Sequence, residues 1–161
     1  IPFAMGTMSK SIWSDGGFIA CSSNFKKLLI QEAASFIYTT ALPPSAIGAS
    51  IAAIEIMEKE PALGIHLQKK STKFRAIMNE SGINTMNSES QIIPIVIGDN
   101  QTTLDIARKL SEEGIIVGAI RPPTVPEGSA RLRISISLAH TDEDLMFAAE
   151  KIIKIIKKWS H

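Results

Sequence analysis

Arg131-Leu132-Arg133-Ile134-Ser135-Ile136-Ser137-Leu138 alternates polar and apolar residues without a break. Successive strand side chains point to opposite faces, so Arg131, Arg133, Ser135 and Ser137 share one face and Leu132, Ile134, Ile136 and Leu138 the other. This is the pattern of a sheet with one side on a core and the other toward water. On its C-terminal side, Thr141 followed by Asp144 forms a helix cap. Leu145, Ala148, Ala149, Ile152, Ile153, Ile156 and Trp159 then recur at helical spacing, with Lys151, Lys154, Lys157 and Lys158 on the opposite side. On the N-terminal side lie a stiff loop from Pro122 to Gly128 and a strand from Ile115 to Ile120. Before them come Gly114 as a helix stop, a helix from Thr102 to Glu113, an Asp99-Asn100 turn and a strand from Gln91 to Gly98. Leu63, Leu67, Phe74, Ile77 and Met78 mark one more helix, stopped at Gly82. Together these elements predict a small α+β lobe.

The first sixty residues read differently. A strand is expected from Ile1 to Met5, a turn at Gly6-Thr7, a strand from Gly17 to Cys21, an amphipathic helix from Asn24 to Ala34 and a short strand from Phe36 to Tyr38. Pro43-Pro44 interrupts, and the small and apolar residues from Ser45 to Met57 suit a buried helix whose start tolerates proline. That helix would link the two parts.

Composition narrows the function classes. The 161 residues carry 17 basic and 16 acidic side chains, so no global field draws the chain to nucleic acid or anionic lipid. The single cysteine, Cys21, excludes an internal disulfide framework and a thiolate metal cluster, and a reducing cytoplasm suits it. The apolar run from Ile92 to Ile97 is far below the roughly 20 residues of a membrane span, so no membrane role is expected. His66, His140 and His161 share no spacing that points to a metal, and His140 is read as ordering a strand end.

Two groups could carry chemistry. Gly6-Thr7-Met8-Ser9-Lys10 puts a lysine just beyond a strand and ahead of the flexible pair Gly16-Gly17. A loop lysine by itself is ordinarily a solvated charge. Arg131 and Arg133 read either as the wet side of a sheet or as a carboxylate clamp, since a guanidinium fork matches two carboxylate oxygens. Spacing alone leaves both readings open.

Several segments, taken in order, resemble the α-oxoamine synthases. They are Gly6-Thr7-Met8-Ser9-Lys10 with Gly16-Gly17, then 36–44 (Phe-Ile-Tyr-Thr-Thr-Ala-Leu-Pro-Pro), then 95–100 (Ile-Val-Ile-Gly-Asp-Asn). Residues 119–126 (Ala-Ile-Arg-Pro-Pro-Thr-Val-Pro), 130–135 and Ala139-His140-Thr141 continue the likeness, which spans nearly the whole chain. It implies an α/β chain that is the C-terminal part of a type I pyridoxal-phosphate (PLP)-dependent transferase fold. Residues 1–44 would end the large cofactor domain, 45–60 would form a connecting helix, and 61–161 would form the small C-terminal α+β domain. The resemblance further implies that Lys10 is the catalytic lysine that links to pyridoxal 5'-phosphate and that Thr7 hydrogen-bonds its phosphate. Thr39 and Thr40 would reach the phosphate bound by the partner subunit of a homodimer, and Thr124 and Arg133 would contact substrate, the arginine holding an amino acid carboxylate. Groups that stack on and pair with the cofactor ring would come from an earlier part of a longer chain. The Arg121 to Pro126 segment points within the family to the member that condenses L-alanine with a pimeloyl thioester, bound to CoA or a carrier protein, in biotin synthesis. Members using other amino acids and acyl chains, glycine C-acetyltransferase among them, share the lysine and arginine, and a non-catalytic folded piece is the remaining alternative. Trp13 stands where the family usually has glycine, and Ser11 and Asp15 also depart from its pattern.

Overall fold

The computed structural model describes residues 3–159, which divide into two compact units at Pro61/Ala62. In the first unit, strands β1 (Phe3–Thr7) and β2 (Gly17–Cys21) pair antiparallel, and helices α1 (Ser23–Glu32), α2 (Ala34–Ile37) and α3 (Pro44–Lys59) follow. Gly6 and Thr7 therefore lie inside β1 and not in a turn. Gly6 faces Phe18 across the ladder, where a Cβ would sit 2.6 Å from the aromatic ring, so this glycine makes room for a ring within a strand. The Ser22 hydroxyl accepts from Phe25 N at 3.3 Å and caps α1. The strand expected at Phe36 to Tyr38 is instead the end of a single helical turn, with Ile37 N and Tyr38 N donating to Ala33 and Ala34 carbonyls. A three-residue apolar run carries no period that separates strand from helix. Helix α3 is also not buried within this chain. Ser50 is its one buried residue, while Ile47, Ile51, Ile54, Ile56 and Met57 are exposed.

The second unit holds the core. Strands β3 (Ile92–Gly98), β4 (Gly118–Ile120) and β5 (Ala130–Ser135) form an antiparallel sheet ordered β3-β5-β4. Helices α4 (Leu63–Glu80), α5 (Asn100–Glu112) and α6 (Asp142–Trp159) complete it. The alternation is realised through β5 and just past its end: Leu132, Ile134 and Ile136 are buried, Arg133 and Ser135 are exposed and Arg131 is half-buried, whereas Leu138, expected on the core face, is exposed. Against the buried side chains pack Phe74 and Met78 of α4, Ile93 and Ile95 of β3, Ile106 and Leu110 of α5, and Ala149 and Ile152 of α6. Two places differ on the core face of α6. Ile155 is buried, and Trp159, expected inward, is exposed.

Backbone chemistry explains the boundaries. At the end of α5, Gly114 N donates to Ser111 O at 3.0 Å and Ile115 N to Leu110 O at 2.8 Å, a Schellman closure with Gly114 at φ +83°. Closure uses the Ile115 amide, and the strand expected from Ile115 is shortened to Gly118–Ile120. Gly82 N and Ile83 N close α4 in the same way on Asn79 and Met78 carbonyls. Asp99 is the N-cap of α5, accepting from Thr102 N at 2.7 Å, so that helix starts at Asn100 where a turn was expected. The cap at Thr141 is reciprocal: Thr141 N donates to Asp144 Oδ2 at 2.8 Å, and Asp144 N to Thr141 Oγ1 at 3.0 Å. β5 ends at Ser135, short of the expected Leu138, and His140 Nδ1 accepts from Ser137 N at 3.1 Å just beyond.

Leu132 is fully buried on the central strand, so Leu132→Ala is expected to cost about 2–5 kcal/mol, read as a lower urea midpoint. Ile116→Ala, at a side chain 91% exposed, should change stability by less than about 0.5 kcal/mol. Amide donation from Thr102 to Asp99 and from Thr141 to Asp144 holds both carboxyls below the usual aspartate range. A depressed folded-state pKa gives stability that is present above the ordinary value and lost as pH falls through the folded one. Asp99→Asn with Asp144→Asn should therefore flatten the acid limb of a pH–stability curve below about pH 4. An unchanged limb would mean that other groups set it.

Candidate functional site

Lys10 lies in the connection between β1 and β2, and three backbone bonds close that loop on itself. Met8 N donates to Gly16 O at 2.9 Å, Ser14 N to Met8 O at 2.9 Å and Trp13 N to Lys10 O at 3.1 Å. The Ser14 hydroxyl ties the loop to α3 by donating to Ala46 O at 2.7 Å. The lysine backbone is thus held from both sides, while its side chain is exposed and has no carboxylate partner among the described residues. Thr7 ends β1 at the foot of the loop, with its hydroxyl 2.8 Å from that of Ser9 and Ser9 N donating to Thr7 Oγ1 at 3.3 Å. The loop therefore gathers a primary amine and two hydroxyls. Ser9, quoted in the motif but given no role there, joins the set through this contact alone.

The tight turn at Lys10 depends on Trp13, which sits at φ +54°. Left-handed backbone costs an L-residue on the order of 1–2 kcal/mol and is unusual for a bulky side chain. This conformation is the one glycine adopts freely, which gives the glycine expected here from the resemblance its physical reason. The indole is 90% exposed.

Thr39 and Thr40 lie in the same unit, in the exposed stretch between α2 and α3. Thr39 Oγ1 donates to Thr40 O at 3.5 Å, and no further side-chain bond holds either hydroxyl among the described residues.

In the second unit the two arginines of β5 separate. Arg131 is engaged: its Nε donates to Ser129 O at 3.0 Å and its Nη1 lies 3.3 Å from Met86 Sδ. The Arg133 side chain has no hydrogen bond or ion pair among the described residues, and the residue is flanked in register by Pro94 and Gly118. A Cβ on Gly118 would stand 3.5 Å from Arg133 Nε, so the arginine stem runs across the glycine. Thr124 is exposed in the loop after β4, with its amide bonded to Arg121 O at 3.0 Å. The exposed face of the central strand thus offers one free guanidinium fork. A cavity of about 410 Å³ in this unit, lined by Ile115, Val117, Ile136, Leu145 and Ala148 among others, has neither Thr124 nor Arg133 in its lining.

Comparison with known proteins shows the family of the chain. A family model described as aminotransferase class I and II matches residues 2–152. The putative 8-amino-7-oxononanoate synthase of Magnetococcus marinus is 39% identical over 158 residues, which is 98% of this chain and 40% of that protein. The 8-amino-7-oxononanoate synthase of Lysinibacillus sphaericus is 43% identical over 158 residues, 98% of this chain and 41% of its own length. Among solved structures, serine palmitoyltransferase of Sphingomonas wittichii superposes with a TM-score of 0.89 at 26% identity, covering 98% of this chain and 40% of that one. The 8-amino-7-oxononanoate synthase of Francisella tularensis does so with a TM-score of 0.85 at 26% identity, over 99% of this chain and 47% of that one. The chain spans about 40% of the length of the curated relatives it matches. Its fold is part of the type I PLP-dependent transferase fold.

Proposed function

The chain belongs to the aminotransferase class I and II family, and from that premise we propose that the complete protein is an 8-amino-7-oxononanoate synthase. It condenses L-alanine with a pimeloyl thioester, of CoA or a carrier protein, and releases carbon dioxide, in biotin synthesis. The observation that carries this reading is Lys10: an amine with no carboxylate partner among the described residues, on a loop fixed by its own backbone bonds. The proposal includes a cytoplasmic homodimer. Residues 1–44 belong to the large domain, 45–60 to a connecting helix and 61–161 to the small domain.

The donor set fits pyridoxal 5'-phosphate. The hydroxyl of Thr7 at the end of β1 and the hydroxyl of Ser9 and amine of Lys10 in the adjoining loop suit a group bearing both a phosphate and an aldehyde. When bound, that cofactor supplies an electron sink for bonds broken at the amino acid's Cα. Lys10 Nζ would hold it, and as a free amine would take and return the proton at the amino acid's Cα. Thr7 would donate to its phosphate, while Thr39 and Thr40 would supply hydroxyls to the phosphate held by the partner subunit. Arg133 grips the carboxylate of L-alanine through its fork, and Thr124 contacts substrate.

The full-length protein should form 8-amino-7-oxononanoate and carbon dioxide in equal amounts from L-alanine and pimeloyl-CoA or the pimeloyl carrier protein, as measured by mass spectrometry. Condensation of glycine with acetyl-CoA, without the alanine reaction, would instead assign it to glycine C-acetyltransferase.

A further inference from the structure

We propose that Ser14 is a positioning residue that couples the two cofactor sites of the dimer, so that filling one prepares the other; this rests on the function and homodimer proposed above. Two separate contacts join the Lys10 loop to the start of α3. The Ser14 hydroxyl donates to Ala46 O at 2.7 Å, and a Cβ on Gly16 would stand 2.6 Å from Leu42 Cδ1, so the loop backbone lies directly against that leucine. Ser14 holds on at both ends, since its amide donates to Met8 O inside the loop while its hydroxyl reaches the helix. The bond is not there to satisfy an orphan carbonyl, because the Ser50 hydroxyl also donates to Ala46 O at 2.9 Å. Its consequence is to set where the loop sits on α3.

What stands at the two ends of this tether gives it a function. At one end is Lys10, assigned to the cofactor of its own subunit. At the other, Thr39 and Thr40 lie just before Leu42 and are assigned to the phosphate held by the partner subunit. Between Leu42 and Ala46 the chain is stiff: Pro43 and Pro44 have φ fixed by their rings, and Ala46 N donates to Pro43 O at 3.0 Å. The threonine hydroxyls have no side-chain bond among the described residues beyond that of Thr39 Oγ1 to Thr40 O, so backbone anchored at Leu42 and Ala46 sets their place. Cofactor held at Lys10 restrains the loop, and Ser14 and Leu42 pass that restraint to the threonine stretch. The partner's site then binds without the full entropic cost of ordering it, which makes the coupling positive.

The test is an equilibrium titration of the cofactor-free, full-length dimer with pyridoxal 5'-phosphate, followed by the visible absorbance of the lysine-linked cofactor. In wild type the second site should bind at least about fivefold more tightly than the first, the lower end of ordinary coupling between sites. In Ser14→Ala the two sites should agree within about twofold, and Ser14→Thr, which keeps the hydroxyl, should restore most of the difference. Leu42→Ala, with Ser14 still in place, should bring the ratio below about threefold, and it decides alone if Ser14→Ala fails to fold. A serine that only supported the fold would lower the melting temperature of the cofactor-free protein and leave the ratio between sites unchanged. Equal sites in wild type, or the wild-type ratio in Ser14→Ala or in Leu42→Ala, would overturn the proposal. A wild-type protein that sediments as a monomer or forms no adduct on Lys10 would sink the proposed function first, before any variant is compared, and the coupling with it.

Discussion

Lys10→Ala in the full-length protein should abolish covalent cofactor attachment and lower turnover by at least about a thousandfold, whatever acyl thioester is supplied. Loss of a positioned acid–base group alone costs on the order of 10²–10⁴-fold, and here the same nitrogen is also the anchor. Borohydride reduction followed by peptide mass measurement gives the direct readout. The wild-type adduct should fall on the peptide containing Lys10, and neither Lys10→Ala nor Lys10→Arg should carry one, since arginine keeps the charge but has no primary amine. Neither change should lower the melting temperature of the cofactor-free protein appreciably, because the side chain is exposed and holds no ion pair among the described residues. An adduct on Lys26 or Lys27 would move the role elsewhere and remove the argument built on the loop.

The second unit was largely legible because its signals are periodic. Alternation over 131–138 fixed which face of β5 is buried, and Gly82, Gly114 and the pair Thr141/Asp144 marked helix ends by chemistry that the backbone then uses. One of its errors lies where one amide is claimed twice. Ile115 N closes α5, so the apolar run that follows cannot begin its strand there. The first unit was harder to read. Gly6 looked like a turn because composition does not show that Phe18 covers it, and Phe36 to Tyr38 is too short to reveal a period. The apolar circumference of α3 reads as burial, yet this chain leaves most of it exposed.

At the site, sequence identified Lys10 and Thr7 only through the resemblance, since a lone lysine in a loop is ordinarily a solvated charge. The structure adds the backbone bonds that fix Lys10 and the left-handed turn at Trp13, neither of which any residue pattern displays. It also separates two arginines that alternation had left equivalent. That separation is a matter of competing acceptors: Ser129 O occupies Arg131, and nothing among the described residues occupies Arg133.

Arg133→Ala should therefore raise KM for L-alanine at least tenfold, while Arg131→Ala should change it by less than about threefold. Truncating one member of a hydrogen-bonded charge pair costs on the order of 2–5 kcal/mol, and about 1.4 kcal/mol is already tenfold. The ladder gives Arg133 the room to act, because its neighbours Pro94 and Gly118 extend no long side chain beside it, whereas Arg131 lies between Val96 and Ile120. Arg133→Lys keeps the charge and loses the planar fork, so it should recover only part of the response. KM for the acyl thioester separates this role from general damage. A carboxylate clamp changes the alanine response and leaves the thioester response near normal, whereas a disrupted sheet changes both. Equal effects at Arg131 and Arg133 would return the pair to the wet face of an ordinary sheet, and a normal alanine response in Arg133→Ala would remove the clamp altogether.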